Sequence, residues 1–229
     1  MDRRDLEFLN DKTVLVTGAT DGLGSQLVRI LARLGSTVHA AAQTPGRLCE
    51  TDLPVTVIPV AMDLANPDSI DAATTQLKNA NIVINNVGVN RRDSVLFCRD
   101  EHSALEEMEV NFFDPLRVAR ALAPLMRERQ ERIFVNVLSV LSIDRLVTCG
   151  PYSVSKAAAH SLTKGMREEL KPCNARVIGV YPGPMVRKRR SRTARIEAQH
   201  ATALDPLRPR GCSGLLGSMT RLKMNLRMA

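Results

Sequence analysis

The chain has 229 residues, of which 44% are hydrophobic and 24% are charged. These proportions are close to the average for globular proteins and argue against disordered and fibrous classes. No stretch approaches the ~18 uncharged apolar residues that a membrane-spanning helix requires, and residues 1–5 lack the apolar core of a signal peptide. We therefore expect neither a membrane span nor a secretory leader.

The net charge of +8 is concentrated in one part of the chain. Residues 1–186 carry 21 Lys and Arg against 22 Asp and Glu, whereas residues 187–229 carry 11 basic residues and only two acidic ones. We therefore predict one near-neutral domain over residues 1–186 and a basic, atypical C-terminal segment over residues 187–229. Apolar residues in that segment are concentrated at Leu215-Leu216 and over residues 219–228, and we recognise no strand in it.

The five cysteines are scattered and contain no C-x-x-C pair, and the four histidines show no metal-ligand spacing. This pattern argues against a disulfide framework and against a zinc site. We expect no bound metal and a reducing, cytoplasmic location.

Strands alternate with helices over residues 12–186. The apolar run at 13–17 is typical of a buried parallel strand, and residues 25–34 place leucines and isoleucine at helical spacing. Further strands are predicted at 37–41, 56–60, 82–85, 133–138 and 176–181, and helices at 67–78, 103–128 (kinked at Pro115) and 152–170. This alternation predicts an α/β fold with a doubly wound parallel sheet of the Rossmann type, in three α/β/α layers.

A glycine-rich segment lies between the first strand and the first helix. Glycines let the backbone pass close to a pyrophosphate, and a helix N-terminus offers N–H groups and a positive dipole end. The spacing is G-x-x-x-G-x-G rather than the commoner G-x-G-x-x-G, and a glycine turn without a ligand is the alternative. The position of the segment predicts a dinucleotide site formed by Gly18, Thr20, Asp21, Gly22, Leu23 and Gly24.

Tyr152 and Lys156 are four residues apart on a predicted helix, so their side chains share one face. A neighbouring ammonium favours the phenolate form of a tyrosine, which would make Tyr152 usable as an acid or base near neutral pH. The alternative is an ordinary surface pair on a helix.

Several motifs follow one another in a characteristic order. They are Thr17-Gly18-x-x-x-Gly22-x-Gly24, Asp63-Leu64, Asn85-Asn86-Val87-Gly88, Asn111, Asn136-Val137-Leu138-Ser139, Tyr152-x-x-x-Lys156 and Pro182-Gly183. Over residues 12–186 the chain thereby resembles the short-chain dehydrogenase/reductase superfamily, in its small single-domain branch. Val87 stands where alanine is more usual.

The resemblance implies four catalytic residues. Tyr152 would donate the proton in carbonyl reduction or accept it in alcohol oxidation, and Lys156 would favour its phenolate and hold the nicotinamide ribose. Ser139 would donate a hydrogen bond to the substrate oxygen, where negative charge develops. Asn111 would hold a water that passes protons to Lys156, although an amide satisfied by backbone is the structural alternative.

The resemblance also implies contacts to a nicotinamide cofactor. Asp63 would face the adenine, and the remaining contacts would come from Leu64, Gln43, Asn86, Val87, Gly88, Pro182, Gly183 and Met185, together with Tyr152 and Lys156. Ala42-Gln43-Thr44 follows the second strand, with neither the acid that selects NAD nor an arginine for the phosphate of NADP. Thr44 or Arg47 could reach that phosphate, whereas Asp21 would oppose it, so NADP is slightly favoured over NAD.

We therefore expect an NAD(P)-dependent oxidoreductase that interconverts a ketone or aldehyde with an alcohol. The substrate would be a small molecule with an apolar body, because Val140, Ile143 and Leu146 would line its pocket. The resemblance further implies a homodimer or homotetramer, paired through the helices at 103–128 and 152–170.

The basic segment leaves alternatives open. Arg187 occupies the position where the family carries a threonine, and we recognise no family motif from Lys188 onward, as expected of a divergent tail or a shifted reading frame. In a second functional class, the domain would bind a cofactor with little turnover while the tail binds nucleic acid or an acidic partner through its charge. The chain has no tryptophan and only two tyrosines, so it offers no aromatic platform for bases, and we expect no nucleic-acid partner.

Overall fold

A six-stranded parallel sheet organises the computed structural model, which describes residues 8–49, 54–98, 100–127 and 132–183. The strand order is β3-β2-β1-β4-β5-β6, and each of these neighbouring pairs is parallel. The strands are β1 (Thr13–Thr17), β2 (Thr37–Ala42), β3 (Val57–Ala61), β4 (Ile82–Asn85), β5 (Ile133–Val137) and β6 (Arg176–Val180). The predicted doubly wound α/β fold is confirmed.

Helices cover both faces of this sheet. They are α1 (Gly22–Arg33), α2 (Gly46–Cys49), α3 (Pro67–Thr74), α4 (His102–Met108), α5 (Asp114–Arg127) and α6 (Gly150–Leu170). Short 3₁₀ turns lie at Val140–Ser142, Val147–Cys149 and Lys171–Cys173. Within the described residues, no helix is both long enough and apolar enough to cross a membrane.

Helix α3 is shorter than predicted. It ends at Thr74 instead of continuing to residue 78, and the next N–H groups form tighter bonds, from Gln76 to Ala73 O and from Leu77 to Thr74 O. The Thr74 and Thr75 hydroxyls donate to the carbonyls of Asp71 and Ala72. Such back-bonding competes with helical propagation, which accounts for the early end.

The single helix predicted over 103–128 is interrupted by a π turn at Glu109–Phe113, between α4 and α5. Pro115 has no N–H, so the carbonyl four residues before it cannot receive the usual helical bond. The Asp114 N–H donates to Glu109 O, five residues back. The predicted kink at Pro115 is therefore a π turn on the N-terminal side of the proline, and it contains Asn111.

The apolar core lies on both faces of the sheet. Val14 and Val16 of β1 pack with Leu27 and Leu31 of α1 on one face, and all four are fully buried. Leu15 points to the opposite face, into a second cluster that includes residues of α3, α5 and α6. Strands buried on both sides read as continuous apolar runs, which explains why their sequences show no alternation.

The carboxyl ends of the parallel strands meet at one edge of the sheet. The strand order reverses between β1 and β4, and at such a reversal the loops diverge and leave a crevice. The loops after β1, β4, β5 and β6 carry most of the predicted site residues.

Candidate active site

The loop after β1 requires glycine at two positions for conformational reasons. Gly18 and Gly22 have φ angles of 64° and 53°, in the left-handed region that favours glycine. Gly24 is required for a different reason, since a Cβ there would overlap the carbonyl oxygen of Gly18. The three glycines therefore let the start of α1 approach the end of β1 closely.

Asn86, directly after β4, clamps this loop in place. Its Nδ2 donates to Thr17 O at 3.0 Å and to Gly18 O at 3.2 Å, and its backbone N–H donates to Thr17 Oγ1 at 3.0 Å. The neighbouring Val87 packs against Gly18. The structure thus brings two predicted cofactor-binding segments together at the point where the strand order reverses.

The start of α1 fits a phosphate group. Asp21 is the N-cap residue, with extended backbone, and its side chain forms no capping hydrogen bond. Gly22 has open space where a Cβ would be. First-turn N–H groups and the helix dipole favour an anion here, with Thr20 and Leu23 on either side of the cap. The residues present therefore fit the pyrophosphate of a dinucleotide.

Gln43 and Asp63 lie together at the ends of neighbouring strands β2 and β3. Gln43 Nε2 donates to Asp63 Oδ2 at 3.3 Å, and Asp63 Oδ1 accepts from the Ala65 N–H at 3.1 Å. Leu64 packs onto the core below them. Thr44 is exposed beside this pair, whereas the side chain of Arg47 lies outside the described residues.

The ammonium group of Lys156 is buried at the carboxyl end of β5. The side chain is only 4% exposed, and Nζ donates to Val137 O at 3.0 Å. Desolvation of the charged form lowers the pKa of Lys156 to about 8. A Cβ at Gly88 would lie 3.3 Å from Nζ, so a residue without a side chain leaves room for the ammonium.

Tyr152 lies one helical turn before Lys156 on α6. The Lys156 Nζ is 5.9 Å from the centre of the Tyr152 ring, and Tyr152 is half-buried. A positive charge and a partly exposed phenol therefore lie side by side at the carboxyl ends of the strands.

Asn111 is held in the π turn by three hydrogen bonds. Its Oδ1 accepts from the Val89 N–H at 3.0 Å, and its Nδ2 donates to Val89 O and to Ser155 Oγ, both at 2.9 Å. Ser155 Oγ in turn donates to Tyr152 O at 2.9 Å. The amide thus joins the loop after β4 to α6, and its predicted water-binding role stays a prediction.

Ser139 caps the 3₁₀ turn that follows β5. Its Oγ accepts from the Leu141 N–H at 3.1 Å, and its own N–H donates to Ser142 Oγ at 3.1 Å. The Val140 N–H donates to Pro182 O at 3.1 Å, which brings the Pro182-Gly183 segment beside this turn. Met185 and the basic segment lie outside the described residues.

The sequence analysis did not predict two features of the site. Ser155, which links Asn111 to the Tyr152 backbone, lies inside the Tyr-x-x-x-Lys motif, and its position one turn from Tyr152 was the available signal. Asn85 and Asn136 were noted as motif members without a role. They form a buried amide pair that continues to Thr163.

Comparison with known proteins identifies the family. The short chain dehydrogenase family matches residues 12–195. The chain belongs to this family. Membership makes it an NAD(P)-dependent oxidoreductase by class.

Individual relatives are similar at modest identity. The chain is 29% identical over 195 residues to dehydrogenase/reductase SDR family member 7B of Mus musculus, covering 79% of this chain and 59% of that protein. It is 31% identical over 194 residues to the probable galactose dehydrogenase GalD of Rhizobium meliloti, covering 80% of this chain and 75% of that protein. The chain thus spans less than two thirds of the mouse relative.

A solved structure of the family has the same architecture. A short chain dehydrogenase from Burkholderia cenocepacia, in complex with NADP, matches with a TM-score of 0.74 and 31% identity. The match covers 86% of this chain and 99% of that one.

The Gly24→Ala variant should lose affinity for nicotinamide cofactors by at least about tenfold, because the new Cβ overlaps the Gly18 carbonyl and displaces the loop. Fluorescence titration with NADPH and with NADH measures this loss. Gly165→Ala is the matched control, since nothing lies within 4 Å of a Cβ at that position in α6 and alanine favours a helix. Equal cofactor affinities in the two variants would contradict the close-approach argument.

The Lys156→Met variant should be more stable than the wild type at neutral pH. The folded-state pKa of Lys156 is about 8 against an ordinary value of 10.5, so unfolding takes up a proton between these values. The destabilisation from burying the charge is complete below pH 8 and disappears as the pH rises to about 10.5. Urea denaturation of both proteins across this range should show the difference in unfolding free energy shrinking with pH, and a constant difference would refute the assignment.

Proposed function

We propose that the chain interconverts a ketone or aldehyde with the corresponding alcohol, with Tyr152 as the acid/base. The observation that carries this proposal is the buried Lys156 ammonium beside the half-buried Tyr152, at the crevice edge of a Rossmann-type sheet. A nicotinamide cofactor, when bound, would supply or accept the hydride.

Tyr152 donates a proton to the carbonyl oxygen during reduction and accepts one during oxidation. The neighbouring ammonium favours the phenolate form that accumulates when the proton has left. Lys156 also has N–H donors for the hydroxyl groups of the nicotinamide ribose, since Val137 O is an acceptor for only one of its three.

Ser139 orients the substrate oxygen. Its Oγ accepts from the Leu141 N–H, so its hydroxyl proton can be donated to the oxygen on which negative charge develops. Asn111 positions the loop after β4 against α6 through Val89 and Ser155, and it would also hold the water that exchanges protons with Lys156.

The cofactor is held by the groups that line the crevice. The glycine loop and the start of α1 take the pyrophosphate, and Asp63 lies at the adenosine end with Gln43. The other contacts come from Thr20, Asp21, Leu23, Leu64, Asn86, Val87, Gly88, Pro182 and Gly183. Met185 is proposed from the motif position alone.

We infer a preference for NADP over NAD. The residue after β2 is Gln43, which carries no charge to repel the additional phosphate, and Thr44 is exposed beside it. The NADP bound to the Burkholderia cenocepacia relative supports the same direction.

The protein is proposed to act in the cytoplasm as a homodimer or homotetramer. Leu105, Phe113 and Val154 are exposed apolar side chains on α4, the π turn and α6, the region through which association is proposed. The substrate is proposed to have an apolar body, since Ile143 and Leu146 are exposed beside the 3₁₀ turn that Ser139 caps.

Replacing Gln43 by Asp should weaken NADPH binding by about tenfold and NADH binding much less, because a carboxylate repels the 2′-phosphate and accepts hydrogen bonds from a ribose hydroxyl. The measurement is a fluorescence titration of each cofactor. Gln76→Asp makes the same charge change at an exposed position before β4, at the other end of the sheet, and should leave both affinities unchanged. If Gln43→Asp lost the same factor of affinity for NADPH and for NADH, the proposed preference for NADP would be contradicted.

Replacing Tyr152 by Phe should lower carbonyl reduction by about 10² to 10⁴-fold while leaving NADPH affinity within about twofold, because only the acid/base group is lost. Consumption of NADPH is followed with a panel of ketones and aldehydes. Tyr181→Phe removes the same hydroxyl group from the chain's other tyrosine, whose OH contacts His160 Nδ1 at 2.7 Å, and should keep its activity. Full activity in Tyr152→Phe would exclude Tyr152 as the acid/base.

A further inference from the structure

Three side chains, spaced four residues apart along α4 and the π turn, bind every second residue of the loop that follows β4. The pairs are Ser103 Oγ with Asp93 Oδ2 at 2.7 Å, Glu107 Oε1 with the Arg91 N–H at 2.5 Å, and Asn111 Oδ1 with the Val89 N–H at 3.0 Å. Four helical residues advance about 6 Å, which two residues of chain can span. One face of the helical stretch therefore holds the loop at three successive points.

Glu107, the middle of these three residues, is a fully buried carboxylic acid. It is 0% exposed, and its second oxygen, Oε2, is buried with no hydrogen-bond partner among the described residues. The neighbouring Glu106 pairs with the guanidinium of Arg91, but that pair is partly exposed, and exposed ion pairs contribute little. The loop is therefore held at Arg91 mainly by the buried carboxyl of Glu107.

The same loop contacts the start of α6. Asp93 O accepts from the Gly150 N–H at 3.0 Å, and Asn90 Nδ2 donates to Cys149 Sγ at 3.5 Å. Cys149 is the N-cap residue of α6 and Gly150 is its first residue, two residues before Tyr152. The position of Tyr152 therefore depends on where this loop lies.

The surroundings of Glu107 favour its neutral form. Desolvation raises the pKa of its carboxyl, and the charges of Glu106 and Asp93 act in the same direction, whereas the N–H and guanidinium of Arg91 lower it. On α6, which packs against α4, the buried ammonium of Lys156 is turned to the end of β5 instead. A neutral acid still accepts at its carbonyl oxygen, and an unmatched hydroxyl costs less to bury than an unmatched charge.

We propose that Glu107 is a positioning residue that holds the loop after β4 as a neutral carboxylic acid and thereby fixes the position of Tyr152. Its carbonyl oxygen accepts from the Arg91 N–H, and its hydroxyl is the buried group without a partner among the described residues. The loop then transmits this position to Gly150. The effect on catalysis rests on the proposed role of Tyr152, whereas the anchoring of the loop and the charge state of Glu107 do not.

Amide hydrogen exchange of the ligand-free, full-length protein tests the anchoring. Glu107→Leu removes the acceptor, so the amides of Arg91 and Gly150 should exchange about tenfold faster than in the wild type, as expected for one lost hydrogen bond. Glu107→Gln keeps a carbonyl oxygen and should restore both rates to within about threefold. Leu77→Ala, at a fully buried position in the core, is the control for lost stability and should not accelerate these two amides selectively.

Urea denaturation of the wild type and Glu107→Gln from pH 4.5 to pH 8 tests the charge. The folded-state pKa of Glu107 lies above its ordinary value of 4.5, so the unfolded chain gives up this proton at lower pH than the folded one. The wild type should therefore lose stability relative to Glu107→Gln as the pH rises from 4.5. A difference that stays constant over this range shows an ionised Glu107 and overturns the neutral acid.

Steady-state kinetics test the link to Tyr152. Glu107→Leu should lower kcat for carbonyl reduction by about tenfold and leave NADPH affinity within about twofold, and Glu107→Gln should restore kcat. A normal kcat in a Glu107→Leu protein whose Arg91 and Gly150 amides exchange fast overturns that link.

Unchanged exchange at the two amides in Glu107→Leu overturns the anchoring, as does equally fast exchange in Glu107→Gln. If Glu107→Leu does not fold, Glu107→Gln decides, since it must keep the slow exchange and remove the loss of stability with pH. The exchange and denaturation measurements use protein without cofactor or substrate, so their failure is distinct from a failure of the Tyr152 chemistry.

Discussion

Burial of the Lys156 ammonium is the constraint on which the arrangement of the candidate site depends. A cation that is 4% exposed needs acceptors and small neighbours, and the carboxyl end of β5 supplies the Val137 carbonyl while Gly88 leaves space beside it. The charge destabilises the ligand-free fold, since desolvation lowers the pKa of the lysine. The same burial holds a positive charge next to Tyr152, because both residues lie on a helix that packs against the sheet and not on a mobile loop. Perturbed titratable groups of this kind cluster at functional sites for that reason.

Asparagine side chains at the ends of the strands connect the two halves of the site. Asn86 joins β4 to the glycine loop after β1, and Asn85 joins β4 to Asn136 of β5. Because β4 is the strand at which the order reverses, these two residues fix the loops on both sides of the crevice. The groups that fit the pyrophosphate and the groups around Lys156 are thus parts of one hydrogen-bonded edge, although they come from segments far apart in sequence.

The sequence predicted the strands well because most are apolar runs buried on both faces, which is a local signal. Strand β3, at the edge of the sheet, is exposed at Ile58, Pro59 and Ala61 but is also an apolar run. The sequence predicted helix boundaries less well, because these depend on side chains that compete for the backbone hydrogen bonds and on contacts with distant residues. Thr74 and Thr75 end α3 by bonding back to the backbone. The kink at Pro115 was predicted, but not the π turn before it, in which Asn111 pairs with the backbone of Val89, 22 residues away. Motif spacing identified the candidate site residues, whereas the orientation of the Asn85 and Asn136 amides depends on Thr163 and could not be deduced from spacing.

Protonation of Lys156 and binding of a cofactor must be coupled if the ammonium donates to the ribose hydroxyl groups. Those contacts favour the charged form, so a bound cofactor raises the pKa of Lys156 above its ligand-free value of about 8. Binding is reciprocal, so a proton on Lys156 must raise the affinity for the cofactor by the same factor. Affinity should therefore fall as the pH rises through 8, and binding in that range should take up protons. The same coupling stabilises the fold, because a ligand that binds only the folded chain shifts the equilibrium toward it. The buried charge that destabilises the ligand-free protein is thus stabilised by the complex.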